Sequence, residues 1–206
     1  MLSNHPADPR TAMRISRLFP LALFALPALA LSFDALELAR PDAFAGVTRV
    51  HVADATTELP QPKGRFDRSG DEPRAVRDTD AAAQAAELTD DLRRGFDRKF
   101  DVVDAPGPGV LVVKPTLTRL ASTRPTLADY DREIGLSFQS VYAGGAAVTV
   151  VFERDGQTVA TVRDRYDGSF SDGSPRIGVW QDSQRAYSLW ARQLPALLDA
   201  PATAAR

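Results

Sequence analysis

The first apolar feature of the chain is an unbroken run from Leu18 to Leu29; beyond it, hydrophobic positions begin to alternate or recur with a helical period. Val47-Thr48-Arg49-Val50-His51-Val52 alternates roughly between apolar and polar residues, which predicts a short strand. Residues 56–74 then collect Pro60, Pro62, Gly64, Gly70 and Pro73 among charges, the composition of a long surface loop. Ala81, Ala85, Leu88, Leu92 and Phe96 fall three or four residues apart and predict an amphipathic helix over about 75–99. Asp78 or Thr79 is its expected cap, Asp90 with Arg94 an i,i+4 ion pair, and Gly95 a weak point in its last turn.

Past a brief extended piece at Phe100–Asp104, Pro106-Gly107-Pro108-Gly109 predicts a rigid turn, and a strand resumes at Val110 and runs to about Leu120. Pro115 within it points to a sheet edge or a bulge, because proline cannot donate to the ladder. Residues 122–145 have no clean period, with extended structure expected near Leu136–Val141. Ala146–Glu153 and Gln157–Tyr166 form the clearest hairpin, expected to turn through three residues, Arg154-Asp155-Gly156, with Gly156 left-handed. That register sets Val148, Val150 and Phe152 opposite Val162, Ala160 and Thr158. After a polar loop at 167–175, a final helix is expected from about Val179, with Pro195 breaking or kinking it. Tyr187, Trp190, Leu194 and Leu198 share one helical face and read as core, whereas Trp180 sits at the first turn and is the candidate binding aromatic.

This order of elements, without internal repeats, predicts an α+β fold: a two-layer sandwich of a mixed or antiparallel sheet with two main helices on one face. A length of 206 residues suits a single domain, placed at residues 44–199. The run at Leu18–Leu29 is too short for a helix spanning a membrane, which needs roughly 20 residues. With Met13-Arg14-Ile15-Ser16-Arg17 before it and Ala28-Leu29-Ala30 after it, the stretch has the three parts of a secretory signal peptide. Cleavage is expected after Ala30, with Ser32 the second choice and Met13 the expected start of translation. An exported protein, periplasmic or secreted, follows as an expectation. The net charge of −2 supplies no electrostatic reason for a nucleic-acid partner, and loss of residues 1–30, which carry Arg10, Arg14 and Arg17 against Asp8, makes the remainder more acidic. With no cysteine, disulfides, thiol catalysis, thiolate metal sites and a lipidated N-terminal cysteine are excluded.

Three strings together carry a family resemblance. Phe100-Asp101-Val102-Val103-Asp104-Ala105-Pro106-Gly107-Pro108-Gly109-Val110-Leu111 resembles the central signature of a bacterial envelope family, domain of unknown function 3313. Val162-Arg163-Asp164-Arg165 and the segment from Trp180 to Leu194 resemble its C-terminal part, so the likeness runs from about Phe33 to Leu198. The resemblance implies an envelope protein. Members are mostly read as lipoproteins, and this chain departs from them because Leu29-Ala30-Leu31 offers no cysteine to acylate, so no lipid anchor is expected. The family brings no reaction and no catalytic residue with it.

Candidate chemistry is sparse. Once residues 1–30 are removed His51 is the sole histidine, on a strand face with Arg49, and reads as solvated. No Gly-x-Ser-x-Gly elbow and no paired-histidine motif is present, and no cofactor or metal is expected. Asp129, Asp131 and Glu133 offer carboxylates for acid–base cleavage of a glycan or peptide, though a solvated loop explains them as well. Asp167–Gly173 lacks the glycine and distal acidic residue of a calcium loop. Gly107-Pro108-Gly109 and Gly144-Gly145 precede no helical pattern and read as turns. The candidate ligand-facing residues are Arg163, Arg165, Tyr166 and Trp180. The functional expectation is a non-catalytic periplasmic or envelope protein that binds or scaffolds an envelope protein or cell-wall component. The alternative is a periplasmic hydrolase using Asp/Glu chemistry.

Overall fold

In a computed structural model, the structure describes residues 32–40, 42–60, 76–131, 135–137, 139–172 and 177–199. The expected signal segment, with Met13 and Ala30, and the carboxylate of Glu133 lie outside these. Seven strands form one mixed sheet: β1 (Ala35–Leu38), β2 (Arg49–Val52), β3 (Thr56–Thr57), β4 (Asp101–Val102), β5 (Leu111–Ala121), β6 (Gly145–Arg154) and β7 (Gln157–Asp167). Three helices accompany them, α1 (Asp78–Asp97), α2 (Leu127–Tyr130) and α3 (Gln181–Asp199). The spatial order is β1-β7-β6-β5-β2-β4, with β3 also paired to β5. Pairing is antiparallel from β1 through β5 and parallel for β2, β3 and β4. The long helices pack on each other and on the sheet, α1 over β2–β5 and α3 over β6 and β7. This is the expected two-layer α+β arrangement, but the sheet begins before residue 44: β1 pairs with β7, Leu36 opposite Val162.

Burial follows the predicted periods. Ala81, Ala85, Leu88, Leu92 and Phe96 of α1 and Tyr187, Trp190, Leu194, Leu197 and Leu198 of α3 are buried against alternate residues of β5, β6 and β7. Several local expectations are corrected. The N-cap of α1 is Arg77, without a side-chain cap; Asp78 and Asp80 instead lie in the first turn, where the helix dipole favours negative charge. Arg94 pairs with Asp91, one turn away on its own ridge, rather than with Asp90. Thr56-Thr57, expected in a loop, is β3, and Leu136–Val141, expected to be extended, contains no strand among its described residues. Pro195 is buried inside α3 without ending it.

Gly95 is a contact point and not merely a weak turn. A Cβ there would lie 2.1 Å from the carbonyl oxygen of Ala191, so its hydrogen lets the backbones of α1 and α3 approach. Pro115 is likewise placed by the fold. β5 lies inside the sheet, yet β2 covers it only as far as Val113 and β3 resumes at Thr116. The Val113 and Leu117 carbonyls accept from Ala53 and Glu58, so Pro115, midway between, faces the same neighbour at the gap between β2 and β3. The missing N–H therefore falls where no strand is paired. The bulge in β5 comes later, between Leu117 and Arg119.

The hairpin register is also corrected. Arg154 pairs with Gln157 across a two-residue turn in which Asp155 (φ 51°) and Gly156 (φ 78°) are both left-handed, as a type I′ turn requires. Left alone, that turn would oppose Phe152 and Val159. A bulge intervenes: Glu153 faces Thr158 while Phe152 faces Ala160, leaving Val159 as the extra residue. Val150 then meets Val162 and Val148 meets Asp164, so the apolar set stays on the helix-facing side through a bulge and not a longer loop.

Candidate functional site

At one end of the sheet the C-terminal ends of β5 and β7, the start of β6 and the start of α3 converge on Asp182, which is wholly buried. Its Oδ2 accepts from the Gly144 amide at 3.1 Å, its own amide donates to Thr123 Oγ1 at 3.1 Å, and Arg185 donates to Oδ1 at 3.1 Å. Ser183 Oγ donates to the Gly145 carbonyl at 3.0 Å. A Cβ on Gly168 would come within 2.2 Å of the Asp182 carboxylate, which accounts for glycine there. These bonds satisfy the amides of Gly144 and Asp182 and the carbonyl of Gly145, and tie the exit of β5, the entry of β6 and the start of α3 together.

What those loops present to solvent is apolar. Among the described residues the exposed large hydrophobic side chains are Leu127, Phe170, Ile177 and Val179; Leu127 opens α2, between β5 and β6, and the other three stand between β7 and α3. Ile177 is 79% exposed and Leu127 64%. The Val179 carbonyl accepts from the Thr123 amide, which ties the α3 approach to the β5 exit. Trp180 lies beside Val179 and is half-buried.

The predicted ligand-facing residues do not form one patch. Arg163 and Arg165 project from the open face of β7, where Arg163 pairs with Glu37 at 2.5 Å and Arg165 with Asp167 at 2.7 Å. Tyr166 points the other way and packs, half-buried, against the core. Trp180 belongs to the apolar loop end. His51 shares the open face with Arg49 and bonds the Val103 carbonyl through Nδ1 at 3.0 Å, so that nitrogen carries the proton. Asp129 caps α2, accepting from the Thr126 amide at 2.7 Å and its hydroxyl at 2.9 Å, while Asp131 pairs with Arg77 at 2.5 Å. Among the described residues no group of three His, Asp or Glu side chains is placed to hold a metal, and no helix is long and apolar enough to cross a membrane.

Two strings carrying the resemblance meet in the core. Trp190 Nε1 donates to Asp164 Oδ2 at 2.6 Å, and the Asp34 amide donates to Oδ1 at 3.2 Å. Burial pushes the Asp164 carboxyl above the usual range, and these hydrogen bonds partly oppose it. The third string closes the opposite end of the sheet: Arg49 donates to the Pro108 carbonyl at 2.9 Å and the Gly109 amide to Asp155 Oδ1 at 3.0 Å. Asp164 and Asp182 lie outside the predicted site residues, and their signal in the sequence is an acidic residue within an otherwise apolar-periodic segment.

The fold defines an open, mixed-sheet α+β domain with two long helices on one side. The chain belongs to the family described as Protein of unknown function (DUF3313), whose model matches residues 65–194. No curated protein sequence matches it. Solved structures to which the chain is similar include a PelC dodecamer variant from Paraburkholderia phytofirmans (10% identity, TM-score 0.43, covering 81% of this chain and 97% of that one). Another is a Xanthomonas campestris protein of family DUF330 (14% identity, TM-score 0.44, covering 72% and 82%).

Proposed function

We propose that this is an exported, non-catalytic envelope protein that binds a protein partner through the loop end built on Asp182. The observation that carries the reading is the exposure of Leu127, Phe170, Ile177 and Val179 on the two chain segments, β5 to β6 and β7 to α3, that meet at the buried Asp182. Apolar side chains held in water at one end of a domain favour association, because covering them removes apolar surface from solvent. Export rests on the charged, apolar and small-residue sequence of residues 13–30. The binding reading gains over acid–base hydrolysis because Asp129 is committed to capping α2 and Asp131 to Arg77. The test is a photoreactive residue at Ile177 and, in a separate variant, at Lys114 on the open sheet face, both expressed in the native cell. A discrete cross-linked adduct at Ile177, lost with Phe170→Ser and weaker at Lys114, is the expected result. Equal labelling at the two positions, or none at Ile177, would overturn it.

A further inference from the structure

A second surface, on the paired helices, has a different chemistry. Where Gly95 of α1 meets Ala191 of α3, the solvent side of the helix pair holds a groove of about 150 Å³ lined by Asp91, Arg94, Arg98, Ser188 and Arg192. The close approach of the backbones at Gly95 is what assembles it: Arg98, the C-cap of α1, stands one turn beyond Arg94, and Arg192 follows Ala191 on α3. Three guanidinium groups thus share a small space with one carboxylate, and that carboxylate is already paired with Arg94.

Arg98 and Arg192 differ from the other lysines and arginines among the described residues. Every other lysine and arginine among the described residues makes an ion pair or a polar or electrostatic contact within the chain. Arg98 and Arg192 make none, and both line this groove. Clustering like charges without a counter-charge is unfavourable, and an anion reverses the sign of that interaction.

We propose that the groove is a binding site for a phosphoryl group, held between Arg98 and Arg192, with Arg94 and Ser188 Oγ at its margin. A carboxylate is satisfied by one guanidinium fork, whereas a tetrahedral phosphate dianion has oxygens enough to bridge guanidinium groups from two helices. The groove is large enough for the phosphoryl group but leaves the body of a phosphoester outside, so the chemistry fits a lipid headgroup and a soluble phosphomonoester alike. This site stands independently of the partner-binding reading.

The purified protein is titrated with inorganic phosphate and with glycerol 3-phosphate at constant ionic strength, following the amide resonances of Gly95, Arg98, Ser188 and Arg192. Saturable shifts on both helices are expected, with affinity falling at least about tenfold in Arg98→Gln/Arg192→Gln and unchanged in Arg40→Gln. Single variants and the circular dichroism melt of each keep loss of binding distinct from loss of fold. Co-sedimentation with phosphatidylcholine vesicles, with and without phosphatidic acid, separates the sources. Arginine-dependent binding to the phosphatidic acid vesicles supports the site and assigns a lipid phosphate. Saturation by the soluble esters without vesicle binding supports it and assigns a soluble ligand. Failure of both, or equal binding by wild type and double variant, overturns the proposal.

Discussion

Trp190 lies within α3 and Trp180 just before it, and the two face different surroundings. Trp190 is fully buried and donates to a buried carboxylate, while Trp180 lies half-covered before the first turn of α3. Trp190→Ala is therefore expected to cost about 3–5 kcal/mol, the usual range for deleting a buried large aromatic, and Trp180→Ala distinctly less; urea unfolding of the two variants measures the difference. Asp164 adds a pH dependence of definite sign. Its folded-state pKa is raised, chiefly by burial, so the ionised carboxylate costs stability at neutral pH and that cost disappears as pH falls through the folded value. Asp164→Asn cannot titrate. The difference in unfolding free energy between wild type and Asp164→Asn should move in favour of wild type between about pH 7 and about pH 3, and an unchanged or opposite difference would contradict the assigned burial.

Elements whose residues repeat with a clear period were legible in the sequence, and their ends and exceptions were not. The faces of α1 and α3 follow from residue spacing alone, since each apolar stripe has a single surface on which to be buried. The hairpin shows where that logic stops. The apolar residues of β6 and β7 require an even register, and Asp155-Gly156 favours a tight turn that gives an odd one. Only the structure reveals that a bulge at Val159 satisfies both. Gly156→Ala should cost about 1–3 kcal/mol, because alanine is strained at the left-handed φ of that turn. Gly95 is a second exception, invisible as a contact because its partner, Ala191, is far away in sequence. Gly95→Ala forces the helices apart and should destabilise by about 1–3 kcal/mol or more, against the small gain expected of alanine in an isolated helix. Thermal unfolding distinguishes the two signs.

On the scale of the molecule, the two-layer α+β arrangement could be read from element order, but the candidate site could not. Arg163 and Arg165 are adjacent in the string to Tyr166, and strand alternation sends them to the opposite side of the sheet. The loop end depends on Asp182 gathering chain segments that are far apart in sequence, and no local period reports such a convergence. Phe170, Ile177 and Val179 stand in otherwise polar sequence, the one signal available before the fold was seen. Exchanging Phe170 and Ile177 for serine should leave the unfolding free energy within about 0.5 kcal/mol of wild type, as for exposed positions generally. A larger loss would mean that these side chains support the fold rather than a contact with a partner.

β1, the first strand among the described residues, depends on the longest-range pairing in the sheet. Among the described residues β1 pairs with β7 alone, and the Asp34 amide reaches Asp164 across 130 positions of sequence. The intervening chain must close a very long loop before this contact forms, whereas β6 and β7 need only a two-residue turn. The hairpin can thus form early with one side of β7 bare, a row of amides and carbonyls open to any extended segment that arrives first. In a crowded solution of partly folded chains, the β1 of a neighbour is chemically identical to the chain's own. Exchange of that strand between copies is the misassembly to which this topology is most open.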